Sequence, residues 1–281
     1  MNRPLVSIAM PFYNAAATIR AAVRSILMQT FTDWELLLCD DGSTDNVREL
    51  AASSGDPRIV VWGGGQRLQL GARLNECISR ARGEYIARMD ADDIAYPQRL
   101  EKQLRFLADH PAVDLAGGWA VLFAGAGVAA GKRADPVEHA DITRQPLHTF
   151  RLIHPTFMGK AAWFRRYWYR ADAIRCEDHD LLFRARRASR YANLPEIVLG
   201  YRQGPMDLRK RLRSRWTWFR CAGRYLDRGE RLRVGAVEAL KSARDAVAVA
   251  AGADAAWQRA RSASLTETEL REWRRVWAAV C

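Results

Sequence analysis

At 281 residues, with 49% hydrophobic and 27% charged side chains, the chain can bury a substantial core in one large α/β domain, and wholesale disorder is excluded. Lys and Arg outnumber Asp and Glu 44 to 32, a net charge of +12, and eight of those charges come from Arg209 to Arg233, which hold ten basic and two acidic residues. A charge so local excludes a chain-wide nucleic-acid footprint, and no nucleic-acid recognition motif accompanies it.

Strand and helix signals alternate through the first half. Leu5 to Met10 is a short apolar run, followed by a loop at Pro11, Tyr13 and Asn14. Ile19, Val23, Ile26 and Leu27 recur at helical spacing within Ala15 to Met28, with Thr18 as cap. ELLLC (Glu35 to Cys39) is a second strand, running into Asp40-Asp41-Gly42-Ser43-Thr44-Asp45, where Ser43 or Thr44 caps a helix over Asn46 to Ser53. Arg58 to Trp62 is a third strand, Leu70 to Ala81 a helix with Leu74, Cys77 and Ile78 inward, and Glu84 to Met89 a fourth strand ending at Asp90-Ala91-Asp92-Asp93. A helix over Gln98 to Asp109, an apolar strand over Val113 to Phe123, a Gly-rich loop or hairpin tip over Gly125 to Arg133, a helix after Glu177-Asp178 and a strand over Leu194 to Tyr201 complete the pattern. The β-α-β rhythm predicts a mainly parallel sheet with helices on both faces, the doubly covered α/β class, in which ligands sit beyond the carboxyl ends of strands.

No run approaches eighteen uncharged apolar residues, so no spanning helix is expected, and MNRPLVSIAMPFYN reads as a strand rather than a cleavable leader. Five scattered cysteines without a CxxC pair (Cys39, Cys77, Cys176, Cys221, Cys281) suit free thiols in a reducing cytoplasm.

Both acidic clusters fall at strand ends. Asp90 and Asp92 form a DxD pair able to offer hard oxygen ligands to a divalent cation, which in turn binds a diphosphate and neutralises a leaving group; the plainer alternative is a solvated acidic turn. Asp40 and Asp41 can accept from a base or ribose, or serve as helix caps. Tyr13 can stack on a base or be an ordinary half-buried aromatic. Glu177-Asp178 can supply a general base for a hydroxyl, or two acids favoured by a helix dipole. His154 is a ligand candidate or a structural histidine.

Five segments in order, PFYN, ILMQTFTDWELLLCDDGSTDN, LNECISRARGEYIARMDADDIAYPQRLEKQLRFL, HPTFM and CEDHDLLFRA, resemble the family 2 glycosyltransferases from about Val6 to Tyr201. That resemblance implies a GT-A fold and inverting transfer of a sugar from a nucleotide diphosphate-sugar, UDP- or GDP-linked, to an acceptor hydroxyl. It implies a bacterial enzyme of cell-envelope, lipopolysaccharide, exopolysaccharide or other glycan biosynthesis. It implies Pro11, Tyr13, Asp40, Asp41 and Asn75 at the nucleotide-sugar, Asp90 and Asp92 at diphosphate and metal (Mg or Mn, Asp92 the direct ligand), Asp178 as base, and Glu177 and His154 on the acceptor side. The stretch GGGQRLQLGARLN departs from the family's usual Asn-x-Gly.

The expected catalytic domain is 1–204, followed by a basic helical region, 205–281. Leu208, Leu212, Trp216, Phe219 and Leu226 line one face between arginines, which suits either peripheral contact with an anionic membrane over 208–226 or packing on the catalytic domain. A cytoplasmic location, peripheral at the inner face of the membrane, and a glycan or lipid-linked acceptor follow. Two other functions compete: a nucleotidyltransferase, which wants a Gly-rich basic loop where PFYNAAAT stands, and a binding protein that kept the fold without catalysis.

Overall fold

The computed structural model describes residues 3–204, 207–251 and 262–281. Its first half is built of β1 (Val6–Phe12), α1 (Ile19–Leu27), β2 (Trp34–Asp40), α2 (Val47–Ala52), β3 (Ile59–Gly63), α3 (Leu70–Arg80), β4 (Tyr85–Arg88), β5 (Ile94–Ala95) and α4 (Arg99–Asp109). Then come β6 (Leu115–Ala124), β7 (Val128–Arg133), α5 (His139–Ile142), a 3₁₀ turn (His154–Thr156), β8 (Met158–Lys160), α6 (Ala161–Tyr167), α7 (Glu177–Ala185) and β9 (Tyr191–Arg202). Three helices follow: α8 (Leu208–Ala222), α9 (Arg228–Ala250) and α10 (Glu267–Val280).

The strands form one nine-stranded sheet in the order β3-β2-β1-β4-β8-β6-β9-β5, with β7 paired to β6. β1 is parallel to β2 and β4, β2 to β3, and β6 to β9, while β8, β5 and β7 run antiparallel to their neighbours. The short β5 departs from the sequence reading, and of the two readings of 125–133, loop or hairpin tip, the structure shows a hairpin whose second strand is β7. Two residues carry too little periodicity to register for β5, and the Gly-rich composition of β7 masked a strand that a bulged hairpin turns onto β6.

β1 and β2 are buried throughout because both sheet faces are covered, as parallel strands require. Alternate side chains fill opposite cores. Ile8, Met10, Leu36 and Leu38 pack with Ile19, Val23 and Ile26 of α1; Ala9, Leu37 and Cys39 pack with Leu74, Cys77 and Ile78 of α3 and with Leu181 and Leu182 of α7. Capping differs from expectation: neither Ser43 nor Thr44 caps α2, whose N-cap is Asn46. Ser43 Oγ instead accepts from Asn14 N–H at 3.0 Å, and Asp45 accepts from Val47 N–H at 3.3 Å. The loops after β1 and β2 are thereby tied to each other.

The C-terminal helices share these cores. α10 closes a third cluster, in which Trp273, Val276 and Val280 meet Ile94, Tyr96, Val121 and Phe123, and Trp273 Nε1 donates to Gly127 O at 2.8 Å. Gly127 has φ +83°, and a Cβ there would lie 2.4 Å from Trp277, so only glycine fits this turn. α8 buries Thr217, Trp218, Cys221 and Ala222, and Trp218 stacks on His179 of α7 with ring centroids 3.7 Å apart. The face read from spacing is divided: Phe219 and Leu226 pack against this core, while Leu212 and Trp216 are 42% and 63% exposed. Four of the five free cysteines are buried. Among the described residues no helix is long and apolar enough to cross a membrane.

Candidate active site

The carboxyl ends of β1, β2 and β4 lie side by side, with Phe12 paired to Asp40 and Ala9 to Arg88. The PFYN loop, the DDGS turn and the DADD turn thus share one edge of the sheet, where ligand sites of such sheets form.

Single carboxylate oxygens of Asp90, Asp92 and Asp93 lie within 4.8 Å of one another. The buried guanidinium of Arg88 grips Asp90 through two bonds of 2.6 and 2.8 Å. Asp92 is the exposed member of the three, and the protein mass around it, then the charge of Asp90, push its carboxyl up to about 6. Asp93 is fully buried; Oδ1 accepts from Arg202 N–H at 2.8 Å, and Oδ2 has no partner among the described residues. Burial, then Asp90 and Asp92, raise its carboxyl as well. Three crowded, hard oxygen donors with one orphaned oxygen fit a divalent cation.

At the carboxyl ends of β1 and β2 lies a cleft of ≈ 330 Å³ lined by Pro11, Phe12, Tyr13, Asp41, Arg67, Gln69, Leu70, Ile174, Arg175 and Glu177. Of the nucleotide-side candidates, Pro11, Tyr13 and Asp41 line it. Asp40 does not: its buried carboxylate accepts Ser43 N–H at 2.9 Å and shapes the turn. Asp41 accepts from Leu68 N–H at 2.7 Å and Arg73 Nε at 3.1 Å, fixing the 66–69 segment that departs from the family pattern. Arg67 lies over the Tyr13 ring at 3.9 Å. Asn75 also stands outside the cleft; its amide exchanges two hydrogen bonds with the main chain of Tyr169, at 2.8 and 2.9 Å.

A second cavity, ≈ 340 Å³, holds Asp178 together with His154, His179, Arg133, Arg175 and Tyr201, and its far wall is made by Ser214, Arg215 and Trp218 of α8 and Glu238 of α9. Glu177 turns toward the first cleft instead, and burial pushes its carboxyl up against the pull of backbone N–H groups at Arg175 and Glu177. His154 bonds Tyr169 Oη at 2.8 Å, and burial, reinforced by Arg88, drives its pKa down, so it stands neutral.

Tyr169 joins the halves. Burial raises its phenol, and Arg88, Asp178, Glu177 and Asp90 all lie within electrostatic reach of it. Of the acidic triad only Asp90 acts on this phenol, together with the Glu177-Asp178 pair. Sequence reasoning missed Tyr169, Arg88, Asp93 and Arg175. Arg88 reads as an ordinary strand residue, and Arg175 is signalled only by its φ of +67°, which no sequence pattern encodes. Arg175 lines both cavities and makes no ion pair among the described residues.

An acidic triad at the carboxyl edge of an α/β sheet, with Glu177 and Asp178 lining two further cavities, suits a group-transfer enzyme. The model of glycosyl transferase family 2 matches residues 7–171, and the chain belongs to that family. The putative glycosyltransferase EpsE of Bacillus subtilis is 34% identical over 215 residues, covering 74% of this chain and 76% of its own. The Escherichia coli UDP-Glc:alpha-D-GlcNAc-diphosphoundecaprenol beta-1,3-glucosyltransferase WfgD is 36% identical over 122 residues, 43% of this chain and 48% of its own. In fold the chain is similar to S. aureus TarS 1–349 in complex with UDP-GlcNAc (TM-score 0.62, 16% identity, 82% of this chain and 70% of that one). It is also similar to the Pyrobaculum calidifontis mannosyltransferase PcManGT in complex with GDP-Man and Mn2+ (TM-score 0.60, 21% identity, 99% and 85%). The fold is GT-A, with flanking helices around a mixed sheet.

Proposed function

We propose that this glycosyltransferase is an inverting enzyme that moves a sugar from a UDP- or GDP-linked donor to a hydroxyl of a glycan or lipid-linked acceptor in envelope polysaccharide synthesis, working at the inner face of the membrane and touching it through 208–226. Residues 1–204 carry the chemistry, and the helical region 205–281 supplies part of the acceptor side; residues 205, 206 and 252–261 lie outside the described residues. The observation that supports this reading best is the pairing of two cavities: Glu177 lines the one with Tyr13 and Asp41, Asp178 lines the other with His154, and Arg175 lines both. The EpsE and WfgD names support the pathway, and the UDP-GlcNAc and GDP-Man complexes of the structural neighbours support the donor class.

The donor base rests against Tyr13 with Pro11 and Asp41 along the cleft. Asp40 and Asn75, implicated by the family resemblance, act through the loops they hold. Asp92, with Asp90 and the orphaned oxygen of Asp93, would hold Mg2+ or Mn2+, which when bound supplies positive charge to the diphosphate. Asp178 takes the acceptor proton as the acceptor oxygen bonds to the anomeric carbon from the face opposite the diphosphate. The bond to the diphosphate breaks, and its electron pair leaves with the nucleotide. Glu177 and His154 flank this path, and Arg175, between the two cavities, faces the departing charge.

The test is Asp178→Asn, which should keep nucleotide binding (a manganese-dependent rise in melting temperature with one of UDP, GDP, CDP or dTDP) while transfer falls at least ~100-fold. Unchanged turnover would remove Asp178 from the role. No thermal response to any nucleotide would favour the non-catalytic binding protein.

A further inference from the structure

From the α8–α9 hairpin we infer a docking surface for an anionic lipid bilayer. The inference extends the membrane contact proposed above and assigns it to a defined face of two helices.

α9 has its polarity inside out. Its acids are spent inward or at its end: Glu230 closes a capping box with Asp227, Glu238 pairs with Lys241 at 2.6 Å and Arg215 at 3.5 Å, and Asp245 accepts from Arg211 at 2.9 Å and Arg215 at 2.5 Å. Val234, Glu238 and Asp245 are its buried positions. On the opposite side, at spacings of four, four, three and four, stand Leu232, Ala236, Leu240, Ala243 and Val247, all exposed. Leu232, Leu240 and Val247 are 71%, 73% and 68% exposed. A water-facing helix normally shows the reverse arrangement.

The stripe continues across the hairpin. Phe219 of α8 packs against Gly235, with a ring atom 3.2 Å from where a Cβ would lie, and shares an apolar depression of ≈ 420 Å³ with Leu232 and Ala236. Trp216, 63% exposed, stands beside it with ring centroids 6.0 Å apart, and Leu212 follows one turn on. α8 contains no acid. Arg209, Arg213, Arg220 and Arg228 are exposed around the stripe, and none makes an ion pair among the described residues. An apolar ridge edged by cations and free of exposed carboxylates within its helices complements the acyl boundary and negative headgroups of a bilayer. A water-soluble partner protein would need matching acids around a matching groove, and a second copy of this chain would oppose arginines to arginines.

The surface also reaches the chemistry. Ser214 of α8 donates to the carbonyl of Arg175 at 2.6 Å, three residues before Asp178, and the same hairpin walls the cavity holding Asp178. Docking would set that cavity beside the headgroups, where an acceptor on a lipid presents itself.

The test is co-sedimentation of the full chain with vesicles, without donor or acceptor, so that it stands or falls independently of transfer. Vesicles half phosphatidylglycerol and half phosphatidylcholine should retain the protein, pure phosphatidylcholine should not, and high salt should release it. Leu240→Glu and Val247→Glu, at solvent-facing positions, should each weaken vesicle affinity about tenfold or more with unchanged melting temperature. Arg209→Glu with Arg213→Glu should do the same through charge. No retention on anionic vesicles, or retention indifferent to Leu240→Glu, overturns the inference. So would a dimer in sedimentation velocity that the same substitution dissolves, which would give the stripe to a second copy.

Discussion

Asp245→Ala tests how firmly the C-terminal hairpin is joined to the acceptor side. The Asp245 side chain is fully buried and accepts from Arg211 and Arg215, whose side chains are 32% and 14% exposed. Removing one member of a buried ion pair costs about 3–5 kcal/mol, because the remaining charge stays buried without compensation. Two features reduce that here: Arg211 is exposed enough to rehydrate, and Arg215 keeps Glu238 at 3.5 Å. A loss of about 2–3 kcal/mol is therefore expected, which at roughly 2–3 °C per kcal/mol lowers the melting temperature by about 4–9 °C. Glu267→Ala is the control: that side chain is 91% exposed with its partner at 3.7 Å, and it should change stability by less than ~0.5 kcal/mol. Since Arg215 and Glu238 line the cavity with Asp178, acceptor KM should rise in Asp245→Ala while nucleotide binding holds. The pair also predicts an acid limb. Burial alone would raise the Asp245 carboxyl, but the hydrogen bonds and charges of Arg211 and Arg215 outweigh it and hold the carboxyl low. A depressed carboxyl contributes stability above its unfolded value near ~4 and loses it as pH falls further. The acid limb of melting temperature against pH should therefore be shallower in Asp245→Ala. A melting temperature unchanged to within ~1 °C, or donor and acceptor affected alike, would refute the reasoning.

Arg175→Gly should trade activity for stability. The residue sits at φ +67°, a conformation that costs a side-chain-bearing residue about 1 kcal/mol and glycine little; melting temperature should rise slightly while turnover falls about 100-fold through loss of a cation facing the departing diphosphate. Equal turnover in a stabilised variant would make Arg175 a surface cation only. Trp273→Ala should cost about 3–5 kcal/mol, since the ring is 1% exposed between Tyr96 and Phe123. A second substitution, Gly200→Ala, whose Cβ would meet Trp273 at 2.3 Å, should be tolerated only where that ring is gone, as a double-mutant cycle by denaturant titration would show.

The first half of the fold was legible because its signals are local. The strands β1 to β4 are mainly apolar runs, α1, α3 and α4 carry clean helical periodicity, and the acids at 40–41 and 90–93 fall where those runs stop. What escaped was whatever depends on partners far along the chain. Arg88 matters because Asp90 curls back on it, and Tyr169 because Asn75, 94 residues earlier, clamps its loop. Asp40 and Asp41 look equivalent in sequence, yet one shapes its own turn and the other holds the 66–69 segment at the cleft. One peptide of register decides which.

The helices after 204 show the same limit from the other side. Of the stripe found from spacing, Leu208, Leu212, Trp216 and Phe219 fall on α8 and Leu226 lies past its end, and spacing has no means of telling an inner face from an outer one. The inner face was set by Trp218 stacking on His179 and by Arg211 and Arg215 reaching acids on α9, contacts that require both helices to be placed first. Once Glu238 and Asp245 are drawn inward to neutralise those arginines, the leucines of α9 have only solvent to face. Leaving Leu232, Leu240 and Val247 in water forgoes about 1.5–3 kcal/mol of burial for each. An alanine-rich helix could have carried hydrophilic residues there at no cost to its packing. The exposed stripe is thus a property of the sequence that the packing of the described residues does not require, and a lipid surface would give it a partner.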